Sequence, residues 1–104
     1  MIIQFNTDNN INVGERSNAY FTSVVSDTLD RFSSHITRIE VHLTDENAQK
    51  KGKNDHRCVI EARLEGKQPI AVSDNADTVE KALNGALDKL KASLDTVIGR
   101  LKDY

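Results

Sequence analysis

Residues 77–102 read DTVEKALNGALDKLKASLDTVIGRLK, and this stretch decides the fold. Val79, Leu83, Leu87, Leu90, Leu94, Val97, Ile98 and Leu101 recur at steps of three or four, which a helical period of about 3.6 residues gathers into a single apolar stripe. A helix with such a stripe must lie on an apolar surface. Asp77, followed three positions later by Glu80, reads as a capping pair at the helix start, with Asp74 as the alternative. Gly85 and Gly99 fall off the stripe and each costs up to about 1 kcal/mol relative to Ala, so close packing or a tolerated weakness must account for them.

Working outward, the surface the helix needs lies just before it. Cys58, Ile60, Ala62 and Leu64 alternate with Arg57, Val59, Glu61, Arg63 and Glu65, the period of two that puts one face of a strand in the core and the other in water. Gly66-Lys67 reads as the two central residues of a type II′ hairpin turn, returning the chain as a strand from Gln68 to Ser73. Pro69 removes a ladder donor, so that strand begins there or lies at a sheet edge. Earlier still, Ile39, Val41 and Leu43 alternate with Arg38, Glu40 and His42 as another half-buried strand, and the polar stretch Asp45 to Asp55 connects the two.

The opening residues Ile2 to Phe5 form a short β-prone run ended by the turn-favouring cluster Asn6-Thr7-Asp8-Asn9-Asn10. From about Glu15 to Ser34 the residues Ala19, Tyr20, Val24, Val25, Leu29 and Phe32 follow helical spacing, with Asn12 or Gly14 as start signals and Ser33-Ser34-His35 as a loose stop. Its many Ser, Thr and Val residues are mediocre helix formers, so packing must hold this helix. The order predicted is β-α-β-β-β-α, an α+β fold with one four-stranded sheet and both helices packed on one face. Double-stranded-RNA-binding domains lack the first strand but share part of this order, so the fold class is dsRBD-like.

Composition narrows what such a fold could do. With 104 residues of which 38% are hydrophobic, the chain can close one core and not two, so residues 1–104 are expected to form a single domain. No apolar run approaches the roughly 20 residues of a bilayer span, and Met1-Ile2-Ile3-Gln4-Phe5 lacks the basic start and longer apolar stretch of a secretory signal. A lone Cys58 cannot close an internal disulfide, so a reducing, cytoplasmic setting is expected, with no membrane partner. The net charge of -2 hides an uneven distribution: residues 1–48 hold 3 basic and 7 acidic groups, residues 49–67 hold 6 and 3, and residues 68–104 hold 5 and 6. A polyanion-binding domain is usually basic as a whole, so any nucleic-acid surface on this chain, whose pI is near 5.9, must be a local patch.

No catalytic constellation is present. His35, His42 and His56 fall in different elements without Cys or carboxylates at ligand spacing, whereas a closed zinc site needs about four ligands, so neither metal nor cofactor is expected. Cys58 belongs to the apolar set of its strand and reads as a buried, inert thiol. There is no phosphate-cradling glycine loop and no Ser, His and Asp arrangement, so an enzyme with a small-molecule substrate is not expected.

The run Asn9-Asn10, then Phe32, Ile36, Ile39, Val41 and Leu43, and finally Ala82-Leu83-Asn84-Gly85-Ala86-Leu87-Asp88-Lys89-Leu90 resembles the short ribosome hibernation promoting factors, also called sigma-54 modulation proteins or ribosome-associated inhibitors. The likeness covers nearly the whole chain, and Asp88-Lys89-Leu90 is its most specific part. It implies a protein that sits in the decoding region of the small ribosomal subunit and silences idle ribosomes by occupancy; a monomer is expected. Such binding needs cations and donors facing rRNA phosphates, with shape doing most of the recognition. Lys89 carries over by motif; charge placement adds Lys91, Arg100 and Lys102 on the same helix, and Lys50, Lys51, Lys53 and Arg57 around the long connection.

The chain also departs from the family pattern. Members usually place several Lys on the first helix and a dense basic run after the Asp-Lys-Leu stretch; here the first helix offers Thr22, Ser23, Ser26 and Asp27, and the last continues as Ala92-Ser93-Leu94-Asp95-Thr96. Ordinary ion pairing on the helix surface with Glu80, Asp88 and Asp95 accounts for Lys81, Lys89 and Lys91 about as well as phosphate binding does. A solvated loop accounts equally for the Lys50 to Arg57 cluster. A divergent module of the same fold that binds protein instead of rRNA is therefore the alternative.

Overall fold

The computed structural model describes residues 1–7, 15–45 and 56–102. Strand β1 (Ile2–Thr7) is followed by helix α1 (Glu15–Leu29), a 3-10 helix (Asp30–His35), strands β2 (Ile36–Asp45), β3 (His56–Leu64) and β4 (Ile70–Ala76), and helix α2 (Val79–Lys102). The four strands lie side by side in chain order, β1 parallel to β2 and the rest antiparallel. The parallel pair needs a crossover, and α1 provides it.

Alternation sorts each strand into an inner and an outer face. Register sets Ile3 beside Ile39 and Phe5 beside Val41, then Val41 beside Ile60 and Leu43 beside Cys58, then Ile60 beside Val72. These side chains join Phe21, Val25, Leu29 and Phe32 from the first helical segment and Leu83, Leu87, Leu90, Leu94 and Ile98 from α2 in one cluster. Both helices therefore cover the same face of the sheet, α1 toward β1 and α2 across β3 and β4. The stripe read from the sequence is the buried seam of α2, with Ala82 and Ala86 added and Val79 and Val97 at its margins; the Leu101 side chain lies outside the described residues.

Several local expectations are corrected. Ala19 and Tyr20 are exposed, and Phe21 is buried in their place, because Phe21, Val25 and Leu29 at steps of four define the inner line of α1. The α-helix stops at Leu29 rather than near Ser34 and tightens into the 3-10 turn, which swings Phe32 into the core before Ile36 begins β2. The turn after β3 closes with the Lys67 backbone N–H donating to the Leu64 carbonyl at 3.5 Å, so its central residues are Glu65 and Gly66 rather than Gly66 and Lys67. Gly66 takes φ +70, a left-handed backbone that only glycine adopts without strain. Strand β4 accordingly starts at Ile70, directly after Pro69, and forms a sheet edge, as the missing proline donor requires.

The cap of α2 is Thr78, not Asp77 or Asp74. The Lys81 backbone N–H donates to Thr78 Oγ1 at 3.1 Å, satisfying a donor that the first turn leaves free. Asp77 instead pairs with the Lys81 ammonium at 3.2 Å, and Glu80 accepts from the Tyr20 hydroxyl at 3.2 Å. The proposed start signals Asn12 and Gly14 lie outside the described residues.

Candidate nucleic-acid interface

The three described cations among those chosen from the sequence, Lys89, Lys91 and Arg57, do not share one patch. Lys89 stands on the flank of α2 that faces β4, where its ammonium donates to the Ser73 carbonyl at 2.8 Å and to Asp74 Oδ1 at 3.1 Å. Lys91 is half-buried on the opposite flank, one turn before Asp95, which binds Arg31 across from α1. Arg57 is exposed on β3 between the inward Cys58 and its neighbour His56, on the outer face of the sheet away from both helices. Arg100 and Lys102 lie in the last turns of α2, and their side chains, together with Lys50, Lys51 and Lys53, are outside the described residues.

Carboxylates neutralise most described cations of the helical layer. Lys81 pairs with Asp77, Lys89 with Asp74 and Arg31 with Asp95, the last at 2.5 Å with the guanidinium also resting 4.4 Å from the centre of the Phe32 ring. Lys81 and Lys89 are ion-paired, but not with Glu80, Asp88 or Asp95 of the helix surface: both partners come from the segment before α2. Among the described residues, Lys91 is the cation of the helical layer that makes no ion pair. Tyr20 of α1 to Glu80 at one end and Arg31 of the 3-10 helix to Asp95 at the other tie the first helical segment to α2. The Glu80 carboxylate, by accepting the Tyr20 proton in a hydrogen bond and by its charge, raises the phenol's pKa.

The outer face of the sheet is polar. Arg38 reaches the side chain of Gln4 and lies 3.5 Å from Glu40, while Arg63 bonds Glu61 at 3.1 Å and approaches Glu40 at 4.0 Å. Two arginines and two glutamates on adjacent strands thus pair with one another, with Arg38 Nε left buried and without a hydrogen-bond partner, and Arg57 adds a further positive charge to the same face. Cys58, in the core beneath Asp74, has its thiol pushed up to about 12 by burial first and by the Asp74 charge second, as expected of an inert thiol.

The residue that sequence reading undervalued is Asp74. Register places it opposite Cys58 on the inner face of β4, where its carboxylate lies against α2 at Gly85: a Cβ at that position would meet Asp74 Oδ2 at 1.7 Å. Close approach therefore accounts for Gly85. Around Gly99 a Cβ would meet nothing within 4 Å, so that glycine is the tolerated weakness.

A four-stranded mixed sheet with two helices on one face and a largely neutralised helical layer is an α+β domain of the β-α-β-β-β-α type. The sequence pattern of the sigma 54 modulation protein / S30EA ribosomal protein family matches residues 3–102, and the chain belongs to that family. Among solved structures, the N-terminal domain of Thermus thermophilus Protein Y superimposes with a TM-score of 0.73 at 18% identity, covering 92% of this chain and 98% of that one. A ribosomal subunit interface protein from Coxiella burnetii gives 0.71 at 16% identity over 95% and 99%. No protein of curated function matches the sequence.

Proposed function

We propose that this chain is a ribosome-associated translation inhibitor that occupies the decoding region of the small ribosomal subunit and blocks access of messenger and transfer RNA. The observation that carries this reading is the family match from residue 3 to residue 102, with a fold that covers nearly all of the Protein Y domain. The second solved neighbour bears the name of a ribosomal subunit interface protein. The protein acts by occupancy, as a single cytoplasmic domain and a monomer, without cofactor. Lys91, Arg100 and Lys102 of α2 contribute phosphate contacts, and Lys50, Lys51, Lys53 and Arg57 contribute others.

Cosedimentation with purified small subunits tests the reading. Binding is expected at low salt, weakening with a log-log slope of about -0.7 to -0.9 for each phosphate neutralised. Subunits preloaded with messenger and transfer RNA are expected to exclude the protein. Absence of binding at low salt would reject the reading. One observation favours the protein-interaction module instead: three cations of the helical layer are already held by carboxylates of the same chain. Nuclease-insensitive capture of one protein partner, with no subunit binding, would decide for it.

A further inference from the structure

Asp74 stands at the meeting point of three independent features. Its carboxylate fills the space that Gly85 leaves on α2, its Oδ1 holds the Lys89 ammonium at 3.1 Å, and the neighbouring Ser73 carbonyl accepts from the same ammonium at 2.8 Å. Asp74 is 29% exposed while Lys89 is 56% exposed, so the carboxylate is the seated partner and the lysine the one that solvent and an incoming anion can reach. Lys89 is also the residue of the Asp88-Lys89-Leu90 stretch that most specifically marks the family likeness.

We infer that Asp74 sets the affinity of this chain for ribosomal RNA by occupying Lys89 as a phosphate would, so that Lys89 contributes fully as a phosphate contact once the carboxylate is neutralised or unseated. This rests on the proposed ribosome-binding role. The physics is competition between two anions for one ammonium. An exposed or half-exposed pair in water is weak, so the carboxylate cannot exclude a phosphate outright, but it cancels the counterion release that a free lysine would contribute. The chain therefore binds as though it had one cation fewer than its sequence holds. Gly85 belongs to the same device: any side chain there must push the carboxylate aside.

The experiment measures binding to small ribosomal subunits across a salt series for the whole chain and for Asp74→Asn, Lys89→Gln, the double variant Asp74→Asn with Lys89→Gln, and Gly85→Ala, each checked for a cooperative thermal transition. Asp74→Asn is expected to bind about two- to fivefold tighter, the range an exposed ion pair spans, with a salt slope steeper by about 0.7 to 0.9. Lys89→Gln is expected to bind like the parent, and the double variant like Lys89→Gln, which separates release of Lys89 from a general gain of positive charge. Gly85→Ala, which keeps every charge, is expected to gain affinity in the same direction, and it serves as the second test if Asp74→Asn does not fold. If the parent binds and Asp74→Asn matches it, or if the gain persists without Lys89, the inference is overturned while the ribosome reading stands. If the parent fails to bind but Asp74→Asn binds in a Lys89-dependent manner, the inference holds and the ribosome reading of the natural chain falls. Failure of both to bind overturns both.

Discussion

Two adjacent aromatic residues of α1 give the sharpest check on how that helix sits. Phe21 is 9% exposed and belongs to the core cluster, whereas Tyr20 is 53% exposed and touches α2 only through its hydroxyl bond to Glu80. Truncating a core Phe to Ala costs about 3 to 5 kcal/mol, and the lower end applies here because Phe21 lies at the margin of the core. Replacing Tyr20 by Ala removes only one solvent-exposed hydrogen bond and some edge contact with Phe21, whose ring centroid is 5.6 Å away, and so costs far less than the loss of Phe21. At roughly 4 to 8 °C per kcal/mol for a domain of this size, Phe21→Ala should lower Tm by more than about 10 °C and Tyr20→Ala by far less. The chain has no tryptophan, so urea and thermal unfolding are best followed by circular dichroism at the helical band. Equal losses for the two variants, or a Phe21→Ala loss below about 1 kcal/mol, would mean that α1 is rotated about its axis and that the inner line of Phe21, Val25 and Leu29 is wrong.

Two further outcomes are expected. Gly99→Ala should stabilise the domain by about 0.5 to 1 kcal/mol in urea unfolding, since an added Cβ meets open space and the helix gains propensity; a loss of stability would show an unnoticed close approach. Cys58 should resist a disulfide-exchange reagent in the folded protein at pH 8 and react once unfolded. Because its folded pKa is raised from 9.0 to about 12, the stabilisation it reports is complete below about pH 9 and is lost as pH rises toward 12; a denaturation midpoint flat across that alkaline window would contradict this.

What could be read from the chain, and what could not, divides along the range of the interactions. The α2 seam was legible because eight apolar residues repeat one period over six turns, and nothing else in that stretch competes for the pattern. The inner faces of β2 and β3 were legible for the same reason at period two. In α1 the pattern was degenerate: with Tyr20 and Phe21 adjacent in a Ser- and Thr-rich segment, either aromatic fits a helical stripe, and only packing against the sheet selects Phe21. The N-cap was misread because Asp77, Thr78 and Asp74 are all suitable acceptors, and the exact turn at which β4 ends decides which one reaches an orphan N–H. Lys89 was legible as a cation of α2, but its partner belongs to a different element, and only the register that sets Asp74 opposite Cys58 brings that carboxylate over Gly85. Arg57 stands apart from the described α2 cations because the thickness of the sheet lies between its outer-face position and the helical layer.

The division of cover between the helices has a consequence for biosynthesis. Helix α1 shields the side of the sheet near β1, but Cys58, Ile60, Ala62 and Leu64 on β3 and the inward residues of β4 wait for α2. While a nascent chain has emerged only as far as β4, it carries a finished four-stranded ladder with half of its oily underside bare, and residues 79–102 act as the lid that ends this vulnerability. A premature stop before Val79 would therefore yield a sticky remnant prone to clumping rather than a smaller working protein.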